Sequence, residues 1–380
     1  MVDLKLIGKR IQELRQKRGL TQSEFAEIFQ ISSQAVSNWE RGISLPDVEN
    51  LICIASYFDV LVDELLRMRT EDLYLGIDGG GTKTEFAVIT SGGHVLQRLS
   101  KEGCNPNDVG FEEMTRIILE GMSALLVKYP SVKHLFCGVA GIATGDYGER
   151  LYHAIKKNFP FLNVKTKNDA FNLFAMDDRA KMAVISGTGG VVLVQTEEGY
   201  ERIGGWGQLL SSSGSAYDVG RAALATVLRE EDMKEPPSLL RKLLLERFGT
   251  ARIWDHVSAI YKNGKSYIAS LASSVFEAYA GGDPNAVAII DESAKELATW
   301  LNAGVRLYGV APIAVASGGL FEHYEEILVS HIKKYSSVSL IVSELPPIYG
   351  ACRMARTLGG GDIPDRFYEN FKASYQEAEA

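Results

Sequence analysis

The stretch Leu75-Gly76-Ile77-Asp78-Gly79-Gly80-Gly81-Thr82-Lys83-Thr84 runs out of an apolar strand, through three glycines, and into a second strand. Glycine carries no Cβ, so such a turn lets backbone amides come close to phosphate oxygens. Thr82, Lys83 and Thr84 add side-chain donors and one positive charge, and Asp78 at the strand end is suited to hold Mg2+ through water. The spacing is not that of the P-loop, and no helix follows directly. Most glycine turns between strands are plain hairpins, so the reading rests on what accompanies this one.

Working outward, apolar and β-branched runs predict strands at 73–77, 85–90 and 95–99, with a turn at 91–93. A helix over 111–128, a strand at 134–139, a helix over 147–158, a strand at 162–166 and a helix over 169–176 follow. Strands at 181–186 and 190–196 then flank a second glycine turn, Gly187-Thr188-Gly189, with Thr188 as a donor to phosphate. The region 215–310 reads as largely helical. A third glycine turn, Gly318-Gly319, follows the run that begins at Val315, and 348–358 reads as a final helix. Two strand–turn–strand units in tandem, at 75–90 and 181–196, predict two related α/β halves. We place the first lobe at 73–166 with 346–362 returning to it, the second at 167–345, and a C-terminal tail at 363–380.

Upstream the pattern is all-helical. Leu4, Ile7, Ile11 and Leu14 recur at helical spacing, Gly19 ends that helix, and Thr21 with Glu24 forms a capping box for the next. Helices follow at 22–29, 33–41, 47–57 and 61–67, so residues 1–67 form one domain, joined to the rest by a short polar linker at 68–72 that lacks Gly and Pro.

The chain has 380 residues, a formal charge of −8 and 46% hydrophobic residues, as expected of two or three folded domains. No global basic field favours nucleic acid, but Lys5, Lys9, Arg10, Arg15, Lys17 and Arg18 make the N-terminus locally basic. Cys53, Cys104, Cys137 and Cys352 are scattered without metal-ligand spacing, which argues against zinc and iron–sulfur sites. No signal peptide or membrane-length apolar run is present, so the expectation is a cytoplasmic protein.

The segment TQSEFAEIF-QIS-SQAVSNWERG, 21–42, resembles the Cro/lambda-repressor-type (XRE) helix-turn-helix family, the likeness extending over 5–66. The resemblance implies an N-terminal all-α domain whose third helix reads base edges in the major groove. Ser33, Gln34, Ser37 and Asn38 would be the reading residues. Gln34 and Asn38 suit bidentate contact with adenine, and Gln22 at a helix N-terminus would meet a backbone phosphate. Arg15 and Glu40 resemble the family's internal ion pair. A module of this size implies a homodimer on a two-fold related operator. The alternative is a helical protein-interaction module.

KNDAFNLF (167–174), GGWGQLL (204–210), CNPNDVG (104–110) and ASGGLF (316–321), taken with the two phosphate turns, resemble the N-acetylglucosamine kinase and BadF/BadG-type ATPase family over about residues 73–358. The resemblance implies an α/β duplex ribonuclease H-like (actin/hexokinase-type) fold with ATP between two lobes. Gly79, Gly80, Gly81, Thr82, Lys83, Thr84, Gly187, Thr188 and Gly189 would hold the phosphates, and Gly318 and Gly319 would border the adenosine. Asn105 and Asn107 would contact an amino sugar, and Asp169 would accept the proton of its hydroxyl. Plainer roles stand beside these: Asn105 and Asn107 as turn formers, Asp169 as an N-cap, Trp206 as core. Where much of the family has an acidic stretch after GGWG, this chain has Ser211-Ser212-Ser213, and Ala143 stands where some members carry aspartate.

Two functions follow as expectations. One is a transcription regulator whose kinase-like domain senses an amino sugar or ATP. The other is a working amino-sugar kinase that carries a DNA-binding module. An activase for radical dehydratases is a weaker third reading, because the cysteines do not match a cluster-bridging pair. Zinc-bearing repressor/kinase families are set aside for want of their Cys-rich loop.

Overall fold

The computed structural model describes residues 4–66, 72–210 and 214–378. It divides into two compact units, the second beginning at Tyr74. The linker expected at 68–72 lies outside the described residues apart from Asp72.

The first unit is a bundle of α1 (Leu4–Lys17), α2 (Gln22–Ile28), α3 (Ser33–Glu40), α4 (Val48–Phe58) and α5 (Val62–Leu66). The capping box forms: Thr21 Oγ1 accepts from Glu24 N at 3.2 Å, and Glu24 Oε2 accepts from Thr21 N at 2.7 Å. Ser32 and Asp47 cap α3 and α4 in the same way, each such cap contributing about 1 kcal/mol. Ile7, Ile11, Phe25, Ala26, Val36, Trp39, Ile54 and Leu65 make the core. A Cβ on Gly8 would stand 1.9 Å from Trp39 O, so only glycine lets α1 and α3 approach this closely. The expected pair is present, with Arg15 Nε 2.6 Å from Glu40 Oε1 and both side chains nearly buried.

The second unit holds two five-stranded sheets. The first contains β1 (Leu73–Gly79), β2 (Lys83–Ile89), β3 (Val95–Glu102), β4 (Val132–Val139) and β5 (Asn163–Lys167), in the order β3-β2-β1-β4-β5. The second contains β6 (Met182–Ser186), β7 (Gly190–Gln195), β8 (Tyr200–Ile203), β9 (Ile313–Ser317) and β10 (Ser339–Val342), in the order β10-β9-β6-β7-β8. Numbered within its own half, each sheet is ordered 3-2-1-4-5. In both halves the first three strands pair antiparallel, and the fourth and fifth pair parallel. The two glycine turns therefore sit at equivalent places. The first joins Gly79 to Thr84 across the β1–β2 register, and the second joins Ser186 to Gly190 across β6–β7.

The helical region of the second half gathers Val219, Leu240, Phe276, Leu297, Leu301 and Phe321 into one core with Val184, Val192 and Ala314 of its sheet. The helix Ile348–Leu358, bounded as the sequence predicts, returns to the first sheet. A Cβ on Gly76 would meet Cys352 Sγ at 2.7 Å, so the helix lies directly on β1. The residues after 362, read as a tail, contain a helix, Phe367–Tyr375. Phe367 and Phe371 are fully buried, and Val95 N donates to Ser374 Oγ at 2.8 Å. No helix among the described residues is long and apolar enough to cross a membrane.

Candidate functional site

A cleft of about 770 Å3 opens between the two halves. Its walls include Asn105, Asn107, Thr144 and Asp169 from the first sheet's loops, and Gly189, Arg202 and Lys265 from the second half. The sequence motifs thus converge: the CNPNDVG loop, KNDAFNLF and the second glycine turn share one space. Ala143 lines the same wall.

Asp169 follows β5 and precedes the short helix Ala170–Phe174. It makes no side-chain capping bond to that helix; Asn168 Oδ1 takes the Ala170 amide instead, at 3.1 Å. The carboxyl is left to the cleft. Burial pushes it up to about 6, against the pull of nearby backbone amides. Asp78, at the end of β1, is pushed up to about 7 by burial. The hydrogen bond from Asn172 pulls it down, and the charges of Asp169 and Glu85 push it further up. Asn172 Nδ2 donates to Asp78 Oδ1 at 2.5 Å. Asn172 itself is fully buried, and its Oδ1 has no hydrogen-bond partner among the described residues. A Cβ on Gly138 would stand 2.2 Å from that oxygen, and one on Gly350 would stand 1.8 Å from Asn172 O. Two glycines therefore clear space for one asparagine. The sequence signal for Asn172 was a polar residue on the buried side of AFNLF.

Asn105 caps the short helix Pro106–Val109, its Oδ1 accepting from Asn107 N at 3.1 Å. It is a turn former and a cleft residue at once. Asn107 Oδ1 accepts from Thr144 Oγ1 at 3.3 Å, and a Cβ on Gly141 would meet Asn105 Oδ1 at 2.2 Å.

The two phosphate turns differ. In the first, Gly80 and Gly81 are accessible and Thr82 is exposed, while Lys83 Nζ is held by Glu85 Oε2 at 3.1 Å. Thr84 is fully buried and donates to Glu102 O at 2.7 Å, so it clamps β2 to β3 instead of facing a ligand. In the second, Thr188 is exposed. Gly187 and Gly189 do not adopt left-handed φ, and nothing lies closer than 3.7 Å to a Cβ on either. Gly319 likewise has open space within 4 Å, and its amide faces Gly187 at that same 3.7 Å. Among the described residues, neither a left-handed φ nor packing requires glycine at these three positions. Gly318 is different: its φ of +100° demands glycine outright.

Trp206 is 60% exposed, against the core alternative, and Arg202 lies over its ring at 4.1 Å. Ser211, Ser212 and Ser213 lie outside the described residues. Among the described residues no cluster of three or more His, Cys, Asp or Glu is arranged to hold a metal.

On α3, Ser33 and Gln34 are exposed and Ser37 and Asn38 half-buried. Gln34 Nε2 and Arg41 Nη2 both donate to Asn38 Oδ1, at 3.0 and 2.9 Å. Arg41, not among the expected base-reading residues, thus packs with Gln34 and Asn38. Gln22 Nε2 donates to Glu40 Oε2 at 2.7 Å, so its side chain is turned inward onto the buried ion pair.

Duplicated sheets with paired glycine turns and a carboxylate in the cleft between them make the two-sheet α/β fold shared by actin-like ATPases and sugar kinases, here preceded by a helical unit. Residues 75–355 match the BadF/BadG/BcrA/BcrD ATPase family and residues 11–65 a helix-turn-helix family. The chain belongs to the BadF/BadG/BcrA/BcrD ATPase family and carries a DNA-binding helix-turn-helix domain of XRE type ahead of it. An N-acetylmuramic acid/N-acetylglucosamine kinase of Clostridium acetobutylicum is 28% identical over 299 residues, covering 74% of this chain and 98% of that protein. The transcriptional activator BcrR of Enterococcus faecalis is 43% identical over 59 residues, 16% of this chain and 29% of its own length. A structure from Porphyromonas gingivalis, provisionally an N-acetylglucosamine kinase, shares the fold, with a TM-score of 0.59 and 21% identity over 75% of this chain and 99% of that one.

Proposed function

We propose that this chain is a sequence-specific DNA-binding regulator whose kinase-like cleft binds an amino sugar together with ATP. The observation that carries the reading is one chain with both a formed reading helix and a cleft lined by Asn105, Asn107, Asp169 and Gly189. The kinase named among its relatives acts on N-acetylmuramic acid and N-acetylglucosamine, which supports an N-acetylated amino sugar as ligand. Asn105 and Asn107 would recognise its hydroxyl or amide groups. The fold family implies ATP, and Gly187, Thr188 and Gly189 suit its phosphate tail, with Gly319 beside Gly318 at the adenosine. Gly79, Gly80, Gly81, Thr82 and Lys83 would cradle the tail from the other side, and Gly318 would border the adenosine. Asp78, with the unpaired Asn172 Oδ1 beside it, suits Mg2+ held through water. Bound there, the ion would supply positive charge to the phosphates. Ser33, Gln34, Ser37 and Asn38 would read bases, with Gln22 acting through its backbone amide, in a cytoplasmic homodimer on a two-fold related operator. Ligand control of DNA binding requires that the sugar bind the two DNA-binding states with different affinity.

A second reading, a working amino-sugar kinase, is favoured by Asp169. It is in the cleft, makes no capping bond and is raised to about 6, which suits a group that accepts a proton near neutral pH. The test is ADP production by the full chain with ATP, Mg2+ and a panel of amino sugars, run beside Asp169→Asn. Sugar-dependent turnover lost in the variant makes the chain a kinase. No turnover, with sugar or ATP still raising the melting temperature, supports the sensor. Neither turnover nor any shift in melting would sink both readings.

A further inference from the structure

We propose that Lys265 is a phosphate-contacting residue, its ammonium completing the second glycine turn as a seat for the phosphate tail of a bound nucleotide. The inference rests on the reading that this cleft takes ATP.

The sequence gives no hint of it. Lys265 lies 76 positions beyond Gly189 in sequence numbering, in a helical stretch without a motif. The fold brings it to the cleft wall beside Gly189 and Asp169, half-buried. Its Nζ lies 3.7 Å from where a Cβ on Gly189 would sit, so the ammonium faces the open side of the turn. Among the described residues it has no hydrogen-bond or ion-pair partner. An ammonium on the cleft wall that no side chain pairs is open to an anion bound there.

The residue before it supplies an independent observation. Gly264 interrupts the helix Val257–Ser270 with φ 66° and ψ −151°, a conformation close to the region that only glycine enters readily. Nothing lies within 4 Å of a Cβ there, so packing is not the reason for the glycine. The break re-aims the chain immediately ahead of Lys265. Glycine enters this conformation without a Cβ clash, so the break fixes the direction in which the chain carrying Lys265 continues.

Charge points the same way. The turn Gly187-Thr188-Gly189 carries no charge of its own, whereas the first turn carries Lys83, already tied to Glu85. Of the two cations on the cleft wall, Arg202 lies over Trp206 and Lys265 faces the glycines. An ammonium is a compact point charge with rotatable donors, suited to phosphate oxygens that backbone amides hold in place.

The experiment is calorimetric titration of the full chain and of Lys265→Met and Lys265→Arg with ATP, ADP, adenosine and glucosamine 6-phosphate, with melting curves to confirm folding. The expected result is ATP and ADP binding weakened roughly 10- to 100-fold in Lys265→Met, adenosine unchanged, and part of the loss restored in Lys265→Arg. Equal ATP affinity in wild type and Lys265→Met, with wild type binding well, overturns the inference and leaves the nucleotide reading standing. Equal loss for adenosine and ATP indicates a structural role and also overturns it. Loss confined to glucosamine 6-phosphate moves the contact to a sugar phosphate and overturns the nucleotide assignment. A wild-type chain that binds no nucleotide overturns the reading of the cleft and the inference with it.

Discussion

A Cβ on Gly79, the last residue of β1, would stand 2.5 Å from Cys104 Sγ and 3.1 Å from Val139 Cγ2, and one on Gly80 or Gly81 in the first turn would meet Lys83 O at 3.3 Å or Asp108 Oδ2 at 3.4 Å, whereas one on Gly187 or Gly189 in the second turn would meet nothing among the described residues closer than 3.7 Å. The two turns occupy equivalent places in sheets of the same strand order. They share a backbone device and differ in what demands the glycine. At Gly79 the protein's own packing demands it. At Gly187 and Gly189 no packing contact among the described residues does. The first half also holds its polar groups tightly: Thr84 is committed to Glu102 O, Lys83 to Glu85 and Asp78 to Asn172. The second half presents Thr188 exposed and Lys265 without a partner among the described residues. Duplication of the strand order therefore does not duplicate the packing of the turns.

The largest expected effect concerns the carboxylate between the halves. If the chain transfers phosphoryl groups, Asp169→Asn lowers sugar-dependent ADP production about 10²- to 10⁴-fold without lowering the melting temperature, since it removes a charge that burial disfavours. A variant that melts well below wild type would place Asp169 with the structural residues.

Next is a pH effect in the first half. Asp78 and Asp169 both titrate above their ordinary value of 3.8 when folded, at about 7 and about 6. The folded state binds more protons than the unfolded one between those values. Their contribution to stability is full below about 4 and is lost as pH rises through 6 and 7, by about 1.4 kcal/mol per pH unit for each group while it lies between its two pKa values. Melting of the ligand-free chain should fall from pH 5 to pH 8, and Asp78→Asn should flatten that slope. An unchanged slope in the variant would mean that Asp78 is not the buried acid described here.

A smaller effect separates the turns directly. Gly79→Ala should destabilise by about 1–3 kcal/mol through overpacking against Cys104 and Val139. Gly189→Ala should change stability by less than about 0.5 kcal/mol yet weaken ATP binding. Equal melting shifts for the two variants would erase the distinction.

Much of this was legible in the sequence. The helix Ile348–Leu358 has the bounds its apolar spacing predicts, and the Thr21–Glu24 box forms as read, because both signals are local. The short edge strands Tyr200–Ile203 and Ser339–Val342 were not read, since four residues carry too little alternation to stand out. The helix Phe367–Tyr375 did carry a signal, Phe367, Phe371 and Tyr375 at four-residue steps, inside what reads as a polar tail. Asp169, Asn105 and Asn107 were found because each sits in a recognisable motif, and the fold brings them together. Asn172 and Lys265 act through neighbours 94 and 76 positions away in the chain, Asp78 and Gly189, and no local pattern marks such pairs. Arg41 and the inward turn of Gln22 depend on side-chain geometry that sequence spacing does not carry.

The central claim is that the cleft governs the reading helix. The most direct measurement is fluorescence anisotropy of the full chain on a duplex selected from random sequence, titrated with N-acetylglucosamine in the presence and absence of ATP. The account predicts at least a roughly 5-fold change in DNA affinity with ligand. Unchanged DNA affinity, with calorimetry showing sugar and ATP bound to the same preparation, would contradict it.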